Sequence, residues 1–168
     1  MESITSVNDL YLESIRDIYH GEVLLVPELR FFAEKAESVQ LQKMIKNHLI
    51  ETRSHTSRLE EIQENMNSDM LQDHCRTMKS MIIESKSLVD RCTDSKTRER
   101  AIVGSLHRIT NCLLTTYQML ISMADELELP HHKKILQKHL EDEQHFDKQI
   151  SAFGFQTLFQ EFNLQNKL

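Results

Sequence analysis

The sequence predicts an all-α protein: four long helices in a bundle, with an additional short helix in the long connection between the second and third of them. Two observations carry this. Glycine occurs three times and proline twice in 168 residues, too few turn-formers to punctuate a β-rich fold, while the abundant Leu, Glu, Lys, Gln and Met favour helices. Apolar residues also recur in steps of three and four along each long segment, the period of a helix that buries one face.

The first helix is expected to start after Ser6 or Asn8, where Ser6 and Asp9 have capping-box spacing, and to run to about Glu37. Its seam is Tyr11, Ile15, Ile18, Glu22, Leu25, Leu29, Phe32 and Ala36. Pro27 removes a donor and is expected to kink the helix or loosen one turn. Ser38 caps a second helix to about Met66, with the seam Leu41, Ile45, His48, Thr52, His55, Leu59, Ile62 and Met66. A turn at 65–70 leads to a short helix over about 71–91, and Thr93-Asp94-Ser95 breaks and re-caps the chain. The third long helix covers about 96–127 on Ile102, Leu106, Ile109, Leu113, Thr116, Leu120, Met123 and Leu127. Pro130 opens the last, whose seam is Leu136, Leu140, Glu143, Asp147 and Ile150. Gly154 has the place of a residue just past a helix end. The bundle is therefore expected over residues 1–154. Residues 155–168 form a tail with Leu158, Phe159 and Phe162 at the spacing of a short docking helix.

A net charge of −6, with acids and bases interspersed, leaves no basic stripe for nucleic acid. The start lacks the features of a signal peptide, and no run approaches the roughly 20 apolar residues of a membrane span. Cys75, Cys92 and Cys112 form no CxxC pair, which fits free thiols and a cytoplasmic location. Cys112 reads as a core filler. Ser54 beside His55 is too local for nucleophilic catalysis, and no catalytic residue is assigned.

Three of the seams turn from apolar to ionisable at mid-helix. Counting residues from the turns places Glu22 and Glu51 at one level, with Glu143 at the matching level of the other pair. Carboxylates and imidazoles inside a bundle are costly unless paired, protonated or metal-bound. The candidate ligands are Glu22, Glu51, His55, Glu143 and Asp147, for one iron, manganese or zinc ion. A di-metal carboxylate centre needs a single Glu from each of two helices and Glu-x-x-His from the other two. Glu22 fits the first requirement. The second helix offers His48 with Glu51, or Glu51 with His55. The last offers Glu143 with Asp147, or Glu141 or Asp142 with His145. None is a Glu-x-x-His.

These residues resemble a family, the YciF/YciE-like ferritin-like proteins. The likeness lies in NDLYLESIRDIYHGE at 8–22, HLIETRSHTSRLEEI at 48–62, CRTMKSMIIES at 75–85, LEDEQHFDKQI at 140–150 and Tyr117. The resemblance implies a ferritin-like bundle, stress-associated, often dimeric, with a candidate di-metal centre. It also implies a Glu-His-Tyr-Glu segment in the third long helix, where this sequence has Thr110, Asn111, Cys112 and Leu113. Full ferroxidase chemistry is thus not expected. The expectation is an incomplete di-metal centre in a protein that is not an enzyme. The alternatives are a mononuclear or degraded di-metal site, and a purely structural dimerisation or partner-binding module. Its partner would be a second copy, with no nucleic acid and no membrane. Met78 and Met81 are candidates for the dimer contact, His131 and His132 are expected to be solvated, and His139 and His145 have no special claim.

Overall fold

Capping decides where each helix begins. In the computed structural model, which describes residues 3–66 and 75–165 and side chains to residue 154, α1 (Val7–Lys35) opens on a complete capping box. The Ser6 hydroxyl accepts from the Asp9 amide, and the Asp9 carboxylate accepts from the Ser6 amide. α2 (Val39–Asn65) is capped by Ser38, and α4 (Ser95–Glu126) by Asp94. α3 (Arg76–Arg91) follows Cys75, and α5 (Pro130–Gln165) starts on proline. Most of the expected turn at 65–70 and the first residues of the expected short helix lie outside the described residues.

α1 continues through Pro27 without a break. The α4–α5 turn is a Schellman closure: the Leu129 amide bonds the Ala124 carbonyl, the Glu128 amide bonds the Asp125 carbonyl, and Glu128 stands at φ 54°.

The topology follows from where the ends meet. Ser38, just past α1, donates its amide to the Glu99 carboxylate at the start of α4, at 2.5 Å. Tyr11 near the start of α1 bonds His132 near the start of α5, at 3.2 Å. α1 and α5 therefore run one way and α2 and α4 the other. Each helix packs antiparallel against two neighbours, in the order α1, α2, α5, α4. α2 ends at the opposite end from the start of α4, and α3 runs beside α1 and α4 from the level of Gly21 to that of Lys35. Lys35–Asp90 and Lys86–Glu28 tie α3 to α1, at 2.6 and 2.8 Å. At Gly21 an added Cβ would stand 3.3 Å from Cys75 Sγ, so the missing side chain lets the start of α3 close on α1. Met78 is buried in this contact and is no candidate for an outward dimer surface.

The α1 seam is the one the sequence predicts, and so is that of α2 from Leu41 to Ile62, while Met66 lies just past the helix and is half-buried. Two expectations are corrected on the other pair. In α4 the buried residue is Tyr117, with Thr116 only half-buried. In α5 the seam runs Leu136, His139, Glu143, Phe146 and Ile150, so Leu140 and Asp147 flank it. Both choices satisfy steps of three and four, and the larger aromatic side chains take the interior positions. Gly154 is not a helix end. α5 runs through it to Gln165, and an added Cβ would lie 3.3 Å from Val103 Cγ1, so the glycine serves a close approach to α4. Cys112 is half-buried, and all three cysteines are free thiols.

Candidate metal centre

Glu22 is buried because the helix period allows nothing else: Ile18 and Leu25, one turn to either side, hold that face against the core. Its Oε1 accepts from the Tyr117 hydroxyl of α4 at 2.6 Å and faces His55 Nδ1 of α2 at 3.3 Å. Its Oε2 has no hydrogen-bond partner among the described residues. α5 contributes Glu143, also fully buried, with no hydrogen-bond partner on either oxygen among the described residues. His48 Nε2 and His55 Nδ1 stand off Glu143 Oε1 at 3.6 and 3.7 Å. One donor atom each from Glu22, His55 and Glu143 lies within 4.8 Å of the other two.

A second ring of residues holds this trio. His55 Nε2 faces Asp142 Oδ2 at 3.4 Å, and Asp142 Oδ1 accepts from Lys138 at 2.5 Å. His48 Nδ1 meets Glu51 at 3.4 Å, and its ring stacks on Phe146 with centroids 3.8 Å apart. His139 stacks on His55 at 4.2 Å with its edge to Tyr117, and neither of its ring nitrogens has a partner among the described residues.

Burial, with Glu22 and Glu51 adding to it, holds the Glu143 carboxyl well above the usual carboxylate range. Burial and the Glu22 carboxylate likewise push the Tyr117 hydroxyl up, so it donates and does not ionise. For His55, burial pulls down, but Glu22 and Asp142 together outweigh it and leave its pKa raised. Burial wins at His48, which is lowered, and at His139, driven down to about 2 by burial and by the neighbouring His55. A buried carboxylate without a partner costs several kcal/mol, so it takes up a proton or a cation.

The donor set fits one ion and not two. A carboxylate pair and an imidazole from three helices suit Fe, Mn or Zn. A second ion would need acids from α4, whose buried residues at this level are Thr110, Leu113 and Tyr117. Of the five candidate ligands, the structure brings Glu22, His55 and Glu143 together. Glu51 stands in the next ring on His48, about one-third exposed. Asp147 does not join them: it lies on the α4–α5 flank, where His107 Nδ1 meets it at 2.9 Å.

Tyr117, His139 and Asp142 are the participants that the seam assignment left out. Tyr117 carried a signal as a position one residue from the seam residue chosen, and Asp142 as an acid offered with His145 in the last helix. His132, expected to be solvated, is buried against Tyr11, and His131 is exposed. No helix among the described residues is long and apolar enough to cross a membrane.

Comparison with known proteins bears on the family and the fold. The family described as a domain of unknown function (DUF892) matches residues 6–162. Protein YciF of Escherichia coli K12 is 21% identical over 157 residues, covering 93% of this chain and 95% of that protein. The solved structure of the E. coli stress protein YciF superposes with a TM-score of 0.87 at 20% identity, covering 92% of this chain and 98% of that one. YcfI of Rhodopseudomonas palustris, for which a structural role is suggested, gives 0.85 at 23%, covering 89% and 96%.

Proposed function

Because the chain belongs to the family described as a domain of unknown function (DUF892), its role must be read from its site, and we propose that it is a bundle holding one divalent cation, iron, manganese or zinc, at Glu22, His55 and Glu143. The observation that carries this is the meeting of Glu22, His55 and Glu143 in a fully buried layer, where Glu22 Oε2 and both Glu143 oxygens have no hydrogen-bond partner among the described residues and Glu143 Oε1 faces His48 and His55 only at 3.6 and 3.7 Å. A cation there would neutralise two acids and bind helices α1, α2 and α5 to one another. When bound, such an ion supplies charge neutralisation and Lewis acidity. Tyr117 fixes Glu22 Oε1, and Asp142 holds the far nitrogen of His55, the outer-shell arrangement that orients a ligating imidazole. Without acids from α4, the site is incomplete as a di-metal centre and is not that of a full ferroxidase.

A metal-free role stands as the second reading, favoured by the upward shift at Glu143: a protonated Glu143 sharing the layer with Glu22 and His55, fixing helix register. Elemental analysis of untagged protein, prepared without chelator and then loaded with Fe²⁺, Mn²⁺ or Zn²⁺, separates the two. The metal reading expects about one ion per chain, lost in Glu22→Ala and Glu143→Ala. Repeated absence of metal after loading leaves the second reading. A stress-linked role and a homodimer belong to the same proposal, the former suggested by the E. coli relative described as a stress protein. Light scattering on the purified chain tests the dimer.

A further inference from the structure

We propose that the cation reaches this site sideways, through the seam between α2 and α5, with Glu51 and Asp142 as stepping carboxylates and Lys138 as the residue that closes the way. This rests on the metal reading above.

A hydrated cation cannot cross an apolar layer without oxygen ligands to replace its water. Along the bundle axis the layers beside the site are mostly apolar, with Ile18 and Leu25 in α1, Leu59 in α2, and Leu113 and Leu120 in α4. His139 adds a buried imidazole there, but among the described residues no buried carboxylate besides Glu22 and Glu143 lies along this way. On the α1–α4 side Tyr117 and Leu113 are fully buried, and α3 is packed over that flank through Gly21, Cys75 and Met78.

The α2–α5 seam differs. Here the layer reaches partly exposed carboxylates twice: from His55 to Asp142, 16% exposed, and from His48 to Glu51, 34% exposed. Each carboxylate therefore touches an imidazole that itself faces Glu22 or Glu143. Lys138, more than half exposed, pins Asp142 Oδ1 and sits on the wall of a shallow cleft of about 460 Å³ that it shares with Arg58, Lys134 and Glu141. While it does so, its ammonium neutralises the outer acid and repels an approaching cation. Its long side chain can swing away at little cost.

Stopped-flow mixing with Co²⁺ tests the route on the intact chain. The sequence has no tryptophan and three tyrosines, so the part of the tyrosine quenching that Tyr117→Phe removes reports on Tyr117 beside Glu22. Lys138→Met should speed association by about threefold, and Glu51→Gln with Asp142→Asn should slow it by about tenfold or more, as removal of steering charges does. Lys133→Met, which breaks the Asp125 pair away from this seam, should leave it unchanged. If Asp142 only orients His55, its variant will raise the dissociation rate into excess chelator and leave association untouched, and the proposed route is wrong. Equal association rates in all variants would overturn it as well. Failure of the wild-type chain to bind Co²⁺, Mn²⁺ or Zn²⁺ would instead remove the metal reading, and this inference with it.

Discussion

Tyr117 on α4 reaches across to α1 and donates a hydrogen bond from its hydroxyl to Glu22 Oε1 at 2.6 Å, both residues fully buried. α4, which has no acid at this level, still takes part in the polar layer as a donor. Removing that donor leaves a buried carboxylate oxygen with only His55 beside it. Tyr117→Phe should therefore cost about 1–3 kcal/mol in chelator-treated protein, read as a lower urea midpoint at constant m. If a cation occupies the site, saturating Mn²⁺ should shrink that loss, because the ion takes over the charge of Glu22.

Glu143 is the site residue that most needs a test, since both of its oxygens lack hydrogen-bond partners among the described residues. Glu143→Gln keeps the shape and removes the charge. Above neutral pH, metal-free Glu143→Gln should be more stable than wild type by about 1–3 kcal/mol, while losing any stabilisation by Mn²⁺ or Zn²⁺. Thermal melts at pH 8 with and without metal check both halves. A variant less stable than wild type in chelator would show that the carboxylate has a partner the geometry does not reveal.

The acid and alkaline limbs of stability have opposite causes in the metal-free protein. His139 and His48 are depressed in the folded state, so the unfolded chain takes up protons first. Their contribution is present above the unfolded value of about 6.5 and is lost as pH falls below it, continuing for His139 to about 2. His55 and Glu143 are raised. Their contribution is full below their unfolded values and is lost as pH rises through the folded ones. Stability in chelator should thus peak near pH 6.5 and fall on both sides. His139→Phe should flatten the acid limb by about 1.4 kcal/mol per pH unit, without moving the alkaline one. Urea titrations from pH 4.5 to 8.5 measure the slopes.

The bundle was readable because helix period, caps and turn lengths are local. Ser6, Ser38 and Pro130 mark the helix starts, and Glu22 and His55 fall on seams that admit one register. Ambiguity entered where two adjacent residues both satisfy steps of three and four. Tyr117 against Thr116, and Phe146 against Asp147, are decided by which side chain fills the interior, a property of the facing helices. That choice carries Asp147 out to His107 and leaves Asp142 behind His55. Gly154 shows the same limit: a glycine that looks like a stop is a contact with Val103, visible only when α4 is beside it.

The α4–α5 turn offers a test that owes nothing to the site. Glu128 holds φ 54° to complete the Schellman closure, a conformation that costs a side-chain-bearing L-residue about 1–2 kcal/mol. Glycine meets no such penalty, although it adds freedom to the unfolded chain. Glu128→Gly should therefore stabilise the protein by about 0.5–1 kcal/mol net, a rise in Tm of about 1–4 °C at this chain length. The gain should be the same with and without added metal, since the turn lies at the end of the bundle. A gain that appeared only in metal-loaded protein would mean that the turn and the buried layer are coupled, against the independence their separation implies.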